Sequence, residues 1–210
     1  MPNKRITILT KSIVYSPEVD YNVSMEQIFD LARIYDYQSY LFFHGAIHDR
    51  PWLNEAYLFF AKYGIIFFFL SYIYLILKRK VNAFYCTFVA MAVAGLIDLV
   101  ITIFWRRPRP FISHSSEVMT PIVQGLRVYS ISFPSVHTYI AFAIATSIFL
   151  YGHKRLGTLL FILAFCVAIG RVGAGLHYPS DILAGAFLGI ASGIIAYWLV
   201  HNNEHKWEVE

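Results

Sequence analysis

From Ile182 to Val200 the chain runs without a single charged side chain. That stretch is close to the roughly 20 residues a helix needs to cross the ~30 Å hydrocarbon core of a bilayer. Four further apolar runs accompany it, at 56–77, 82–105, 136–151 and 156–172. Their interiors are nearly free of charge, with Lys62 near one end of the first and Asp98 in the second. Inside lipid every backbone N–H and C=O must be paired within the segment, which leaves helices or closed barrels. None of the runs alternates with a period of two, as barrel strands do. The expected fold is therefore an all-α integral membrane helical bundle with about five transmembrane helices.

Composition agrees: 58% of residues are apolar and 14% charged, against roughly 25% charged in ordinary soluble domains. Residues 1–22 read as a polar tail without the apolar core of a secretory signal, 23–200 as one membrane domain, and 201–210 as a second polar tail. Within the domain, residues 24–48 mix apolar positions with Glu26, Asp30, Arg33, Asp36 and His44, and Ser24 with Gln27 can cap them. This predicts an N-terminal amphipathic helix at the membrane interface, ended by the turn at Asp49-Arg50-Pro51. Gly185, Gly189 and Gly193 share one face of the last span and invite close approach by a neighbouring helix. Cys86 and Cys166 read as small buried apolar residues.

The connections sort the polar residues onto two sides. Lys78-Arg79-Lys80 and Lys154-Arg155 occupy short loops on one side. By the excess of basic residues in cytoplasmic loops that side is cytoplasmic, so the protein is expected in the inner membrane with its other face toward the periplasm or exterior. On that other face the second span delivers Arg106, Arg107 and Arg109, and the third opens with Ser135, Val136 and His137. The fourth ends in Arg171 and His177, and Asp181 starts the fifth. An antiparallel bundle gathers these clusters at one rim, a basic site suited to an anion.

Guanidinium forks bind phosphate oxygens bidentately and stay protonated, and phosphoryl transfer demands charge stabilisation and alignment. Two histidines permit a nucleophile and a proton donor. Asp181, four residues after His177, can orient an imidazole through a carboxylate hydrogen bond. The start of the third span adds backbone N–H groups. Reading His177 and Asp181 as metal ligands conflicts with the flanking arginines, and a Ser135–His137–Asp181 hydrolase triad has poor geometry. Neither a metal nor a cofactor is expected. The partners expected are a lipid phosphate and membrane lipids, with no nucleic acid, and oligomeric state is unspecified. Asp98 reads as a structural carboxylate paired to an arginine or hydroxyl, and Arg127 as a solvated charge or a contact to a second phosphate.

The ordered trio Arg109-Pro110, then Pro134-Ser135-Val136-His137, then Arg171, His177 and Asp181 resembles the three-part signature of the type 2 phosphatidic acid phosphatase superfamily. The resemblance implies a metal-independent lipid phosphatase. It implies His177 as the nucleophile forming a phosphohistidine, His137 as general acid and Asp181 as orienter of His177. Arg109, Arg171 and Ser135 become phosphate ligands. Three positions depart from the pattern: Thr102 where a lysine usually precedes the first arginine, Val136 for a glycine in the phosphate loop, and Gly170 for a serine. Arg106 or Arg107 stands ready to replace the lysine. The stretch ITIFWRRPRPF, the small size and the amphipathic lead-in resemble bacitracin-resistance-type undecaprenyl-diphosphate phosphatases, which implies a polyprenyl diphosphate cut to the monophosphate. Phosphatidate, phosphatidylglycerophosphate and lipid A phosphates are the alternative substrates, and a non-catalytic lipid-phosphate binder or transporter is the alternative of another class.

Overall fold

The computed structural model describes residues 25–48, 50–114 and 131–207; Arg127 lies outside them. The described residues form seven helices: α1 (Met25–His48), α2 (Pro51–Leu77), α3 (Val81–Phe104), the single turn α4 (Pro110–Ser113), α5 (Val136–Leu150), α6 (Lys154–Gly173) and α7 (Pro179–Trp207). α2, α3, α6 and the Pro179–Asn202 part of α7 are long and apolar enough to cross a membrane. This is a multi-pass, all-helical membrane architecture, as the apolar runs predict. α4 interrupts what reads as a continuous loop. α7 continues through residues 201–207, because its backbone ladder needs no lipid to propagate.

α5 is the axis of the bundle. At 15 residues and about 1.5 Å per residue it is shorter than the hydrocarbon slab, and protein surrounds it. Ala141 through Ser147 are all buried, walled by α7 and α6, with α3 behind. Its two mid-helix hydroxyls are satisfied internally, Thr146 donating to the Phe142 carbonyl at 2.7 Å and Ser147 to that of Ala143 at 2.8 Å. The outer helices instead turn large apolar side chains outward, Phe104 and Leu77 among them. A lipid-facing surface accounts for this distribution.

Glycine decides how closely α5 and α7 meet. A Cβ on Gly189 would lie 2.4 Å from the Tyr139 carbonyl oxygen, and one on Gly185 would lie 2.9 Å from that of Ser135. The seam extends from mid-bundle to the rim where His137 and Asp181 begin their helices. At the opposite end the two basic loops adjoin, Arg79 and Lys80 facing Gly152 and His153 across a shallow recess.

α1 lies across the rim, and its orientation is unexpected. The face formed by Asp36, Tyr37, Tyr40 and His44 turns toward the bundle, Tyr40 being fully buried. Ile28, Leu31, Ile34 and Phe42 face outward. Phe29 packs near Trp105 at the end of α3, and His44 Nδ1 bonds the Gly173 carbonyl at the end of α6 at 3.0 Å. Asp36 and His44 are thus committed to the protein, while Asp30 and Arg33 stay exposed with the outward apolar residues.

Candidate active site

Beyond α3, residues 107–109 pair with 131–132 through an antiparallel bridge at Pro108 and Ile131. Ser132 N–H donates to the Arg107 carbonyl at 2.8 Å, and Arg109 Nε donates to the Ile131 carbonyl at 3.2 Å. This bridge fixes Arg109 beside the segment that leads into α5. Ser135 caps that helix in extended conformation. Its N–H donates to the Asp181 carbonyl at 3.2 Å, joining the starts of α5 and α7, and its hydroxyl accepts from Thr138 at 3.0 Å.

After α6 the chain reverses through Gly175, whose φ of +74° is a left-handed conformation that glycine adopts without penalty. The Leu176 N–H closes the turn onto the Arg171 carbonyl at 3.0 Å. His177 follows that turn, and Pro179 starts α7 with the φ a first helical turn needs.

Arg109, Arg171, Ser135, His177 and Asp181 are all buried, and the electrostatic neighbours of His137 are Arg171, His177 and Arg109. His177 Nδ1 lies 2.8 Å from the Ser132 carbonyl. A carbonyl can only accept, so Nδ1 carries the proton and Nε2 keeps its lone pair. That lone pair faces Arg109 Nη1 at 3.4 Å. Burial pushes the His177 pKa down from 6.5 to about 4, with Arg171 and Arg109 acting in the same direction and Asp181 against it. The imidazole is neutral at pH 7. Burial likewise lowers the Arg109 pKa, which Asp181 partly offsets. Arg171 donates from Nη1 to the Ala61 carbonyl of α2 at 3.1 Å, and its buried Nε has no partner among the described residues. A buried donor of that kind is suited to an anion's oxygen.

The expected direct hydrogen bond between Asp181 and His177 does not form. Their closest approach, Asp181 Oδ2 to Nδ1, is 3.6 Å, too long for a hydrogen bond. Asp181 Oδ2 instead accepts from the Ser132 hydroxyl and from the Tyr178 N–H at 2.8 Å. Ser132 thus stands between carboxylate and imidazole. Sequence reasoning passed over it, although it heads the very run SFPSVH that contains Ser135 and His137.

The other arginines separate. Arg107 bridges Asp36 of α1 and Asp181, the latter at 3.1 Å, and its guanidinium lies over the Tyr178 ring at 3.8 Å. Arg106 is exposed and lines a cavity of about 730 Å³ between α1 and the end of α3, a cavity that neither histidine of the site lines. Thr102 bonds back to the Asp98 and Leu99 carbonyls of its own helix, at 2.9 and 3.0 Å. Asp98 accepts from the Tyr139 hydroxyl at 3.3 Å, the hydroxyl partner expected of a structural carboxylate. Val136 is 40% exposed, outside the buried cluster. Gly170 has a packing reason: a Cβ there would meet Ala61 N and Tyr57 O of α2 at 3.0 Å, so a serine does not fit without displacing α2.

Comparison with known proteins identifies the family. The bacitracin transport permease protein BcrC of Bacillus licheniformis is 34% identical over 70% of this chain and 71% of its own. The undecaprenyl-diphosphatase BcrC of Bacillus subtilis (strain 168) is 27% identical over 77% and 82%. The lipid A 4'-phosphatase of Bacteroides thetaiotaomicron is 31% identical over 79% and 77%. Among solved structures, that of Aquifex aeolicus LpxE superposes with a TM-score of 0.57 at 25% identity, covering 76% of this chain and 93% of that one. The PAP2 superfamily profile matches residues 83–205. The chain belongs to the PAP2 superfamily of membrane lipid phosphatases.

Proposed function

We propose that this protein hydrolyses a polyprenyl diphosphate, undecaprenyl diphosphate in particular, to the monophosphate through a phosphohistidine on His177. The observation that carries this reading is the bond from His177 Nδ1–H to the Ser132 carbonyl, which leaves Nε2 basic and aimed at the arginines. Arg109 and Arg171 hold the oxygens of the terminal phosphate, with Ser135 and the Val136 N–H at the start of α5. His177 Nε2 attacks phosphorus, the P–N bond forms, and the bond to the bridging oxygen breaks. His137, protonated while the anionic diphosphate is bound beside it, gives its proton to the departing lipid monophosphate. Neutral His137 then takes a proton from water, whose oxygen attacks the phosphohistidine and releases inorganic phosphate. Asp181 acts through Ser132 to hold the imidazole, and Arg107 neutralises Asp181.

Two buried guanidiniums at one phosphate site, those of Arg109 and Arg171, oppose a metal ion by charge, and this supports a reaction that needs none. The polyprenyl preference rests on the similarity to the Bacillus subtilis undecaprenyl-diphosphatase and on Thr102, which turns back to its own helix. The basic loops Lys78–Lys80 and Lys154–Arg155 lie at the end opposite the site, and this supports a site at the outer leaflet of the cytoplasmic membrane.

The test is phosphate release in detergent from undecaprenyl diphosphate, phosphatidate, phosphatidylglycerophosphate and lipid A, with excess EDTA. Wild-type enzyme releases phosphate fastest from the diphosphate, and His177→Ala releases none while remaining folded. Retained turnover in His177→Ala refutes the covalent mechanism, a requirement for added divalent ion refutes metal independence, and preference for lipid A reassigns the substrate. No turnover on any lipid together with intact binding favours a binder or transporter.

A further inference from the structure

The contact between Arg107 and α1 carries a consequence for the reaction. Asp36 is the one α1 carboxylate among the described residues that reaches this site, and it lies outside residues 83–205 that match the family profile. Its Oδ2 accepts from Arg107 Nη2 and from the Ser180 hydroxyl at 2.6 Å, and its Oδ1 accepts from the Ser180 N–H at 3.0 Å. Ser180 is in the first turn of α7, where N–H groups lack partners within the helix. Asp36 therefore caps α7 from another helix. The same carboxylate fixes the guanidinium that binds Asp181 Oδ1, and Arg107 Nη1 also donates to the Ser180 hydroxyl at 2.7 Å.

The contacts form an unbroken chain: Asp36 to Arg107, Arg107 to Asp181, Asp181 to the Ser132 hydroxyl, and the Ser132 carbonyl to His177 Nδ1. Asp36 and Arg107 are largely buried, with side chains 10% and 18% exposed. Arg107 lies between two carboxylates. Without Asp36 it has one anion left and is free to turn wholly onto Asp181, pulling that carboxylate from Ser132.

We propose that Asp36 is a positioning residue for phosphoryl transfer, with α1 holding Arg107 and the start of α7 so that Asp181 and Ser132 fix the His177 imidazole. The inference rests on the assignment of His177 as nucleophile. It makes α1 part of the catalytic apparatus rather than only a membrane anchor.

The test compares wild type, Asp36→Asn, Asp36→Glu and His177→Ala in detergent, with undecaprenyl diphosphate as the probe. Asp36→Asn should lower kcat about 10- to 100-fold, the scale of a roughly 1 Å misplacement of a reacting group, with KM within about twofold. Asp36→Glu keeps the charge and should recover most of the loss. A helix that merely anchors the fold would lower thermal stability and yield but leave kcat per folded molecule unchanged, and that result overturns the proposal. A second readout does not need activity. In ¹⁵N-histidine-labelled protein the His177 Nδ1–H resonance, identified by its absence from His177→Gln, should shift or broaden in Asp36→Asn. An unchanged resonance overturns the proposal even if the enzyme assignment fails, and equal turnover by wild type and His177→Ala marks failure of that assignment instead.

Discussion

Replacing Gly189 with alanine adds one methyl group where the structure leaves no room. The new Cβ would sit 2.4 Å from the Tyr139 carbonyl oxygen, 2.8 Å from Phe142 Cβ and 2.9 Å from Ala143 N. Two of those atoms are backbone, so no rotamer change relieves the clash and α5 must move away from α7. Reaching ordinary contact at about 3.4 Å requires a shift of about 1 Å. Overpacking of this kind costs about 1–3 kcal/mol, and contacts to rigid backbone place it near the upper end. Better helix propensity returns about 1 kcal/mol. The net loss is about 2 kcal/mol, which lowers the folding equilibrium about 30-fold. Because α5 carries His137 and α7 carries Asp181, turnover should fall as well, by up to about 10²-fold for a 1 Å displacement. Gly95→Ala in α3 is the control: nothing lies within 4 Å of its Cβ, so propensity alone acts and stability should rise slightly. Thermal unfolding and phosphate release in detergent measure both effects. If Gly189→Ala is as stable as wild type, or indistinguishable from Gly95→Ala, the close-packed seam is not what sets the α5–α7 distance.

Two further outcomes follow from the site. Folding holds the His177 pKa at about 4, below its ordinary 6.5, so between these values the unfolded chain binds the proton and the folded protein does not. Stability from this group is full above about pH 6.5 and falls by about 3 kcal/mol as pH drops to 4; unfolding midpoints taken from pH 7 to 4 should show a steeper decline in wild type than in His177→Gln, and parallel curves would contradict this. Ser132→Ala removes the hydroxyl that joins Asp181 to the loop yet keeps the carbonyl that receives Nδ1–H. It should therefore slow turnover about tenfold, less than His177→Ala does; loss as complete as that of His177→Ala would show that the hydroxyl itself takes part in the chemistry.

Much of this molecule is written along the chain. Uncharged apolar runs can satisfy their backbone in lipid only as helices, so the spanning segments follow within a few residues. Arg109 and Arg171 follow or close their helices and Ser135, His137 and Asp181 open theirs, so antiparallel alternation places them, with His177, at one rim. The spacing of Gly185, Gly189 and Gly193 predicts close approach by a neighbouring helix, and the structure identifies that neighbour as α5. The departure at Gly170 has a packing reason against α2 that is visible only once α2 is in place.

Tertiary structure alone decided the partners of the buried charges. Nothing local distinguishes Arg106 from Arg107, yet one is exposed and the other sits between two carboxylates. Ser132 enters the site because a bridge between 108 and 131 brings two distant segments together. Asp36 enters because α1 turns the face bearing Asp36 and Tyr40 onto the bundle, where amphipathicity by itself allows that carboxylate to face water equally well. Periodicity fixes which residues share a face and hydropathy fixes which segments enter lipid. The pairing of one charge with another depends on distances across the chain, and those exist only after the helices have packed.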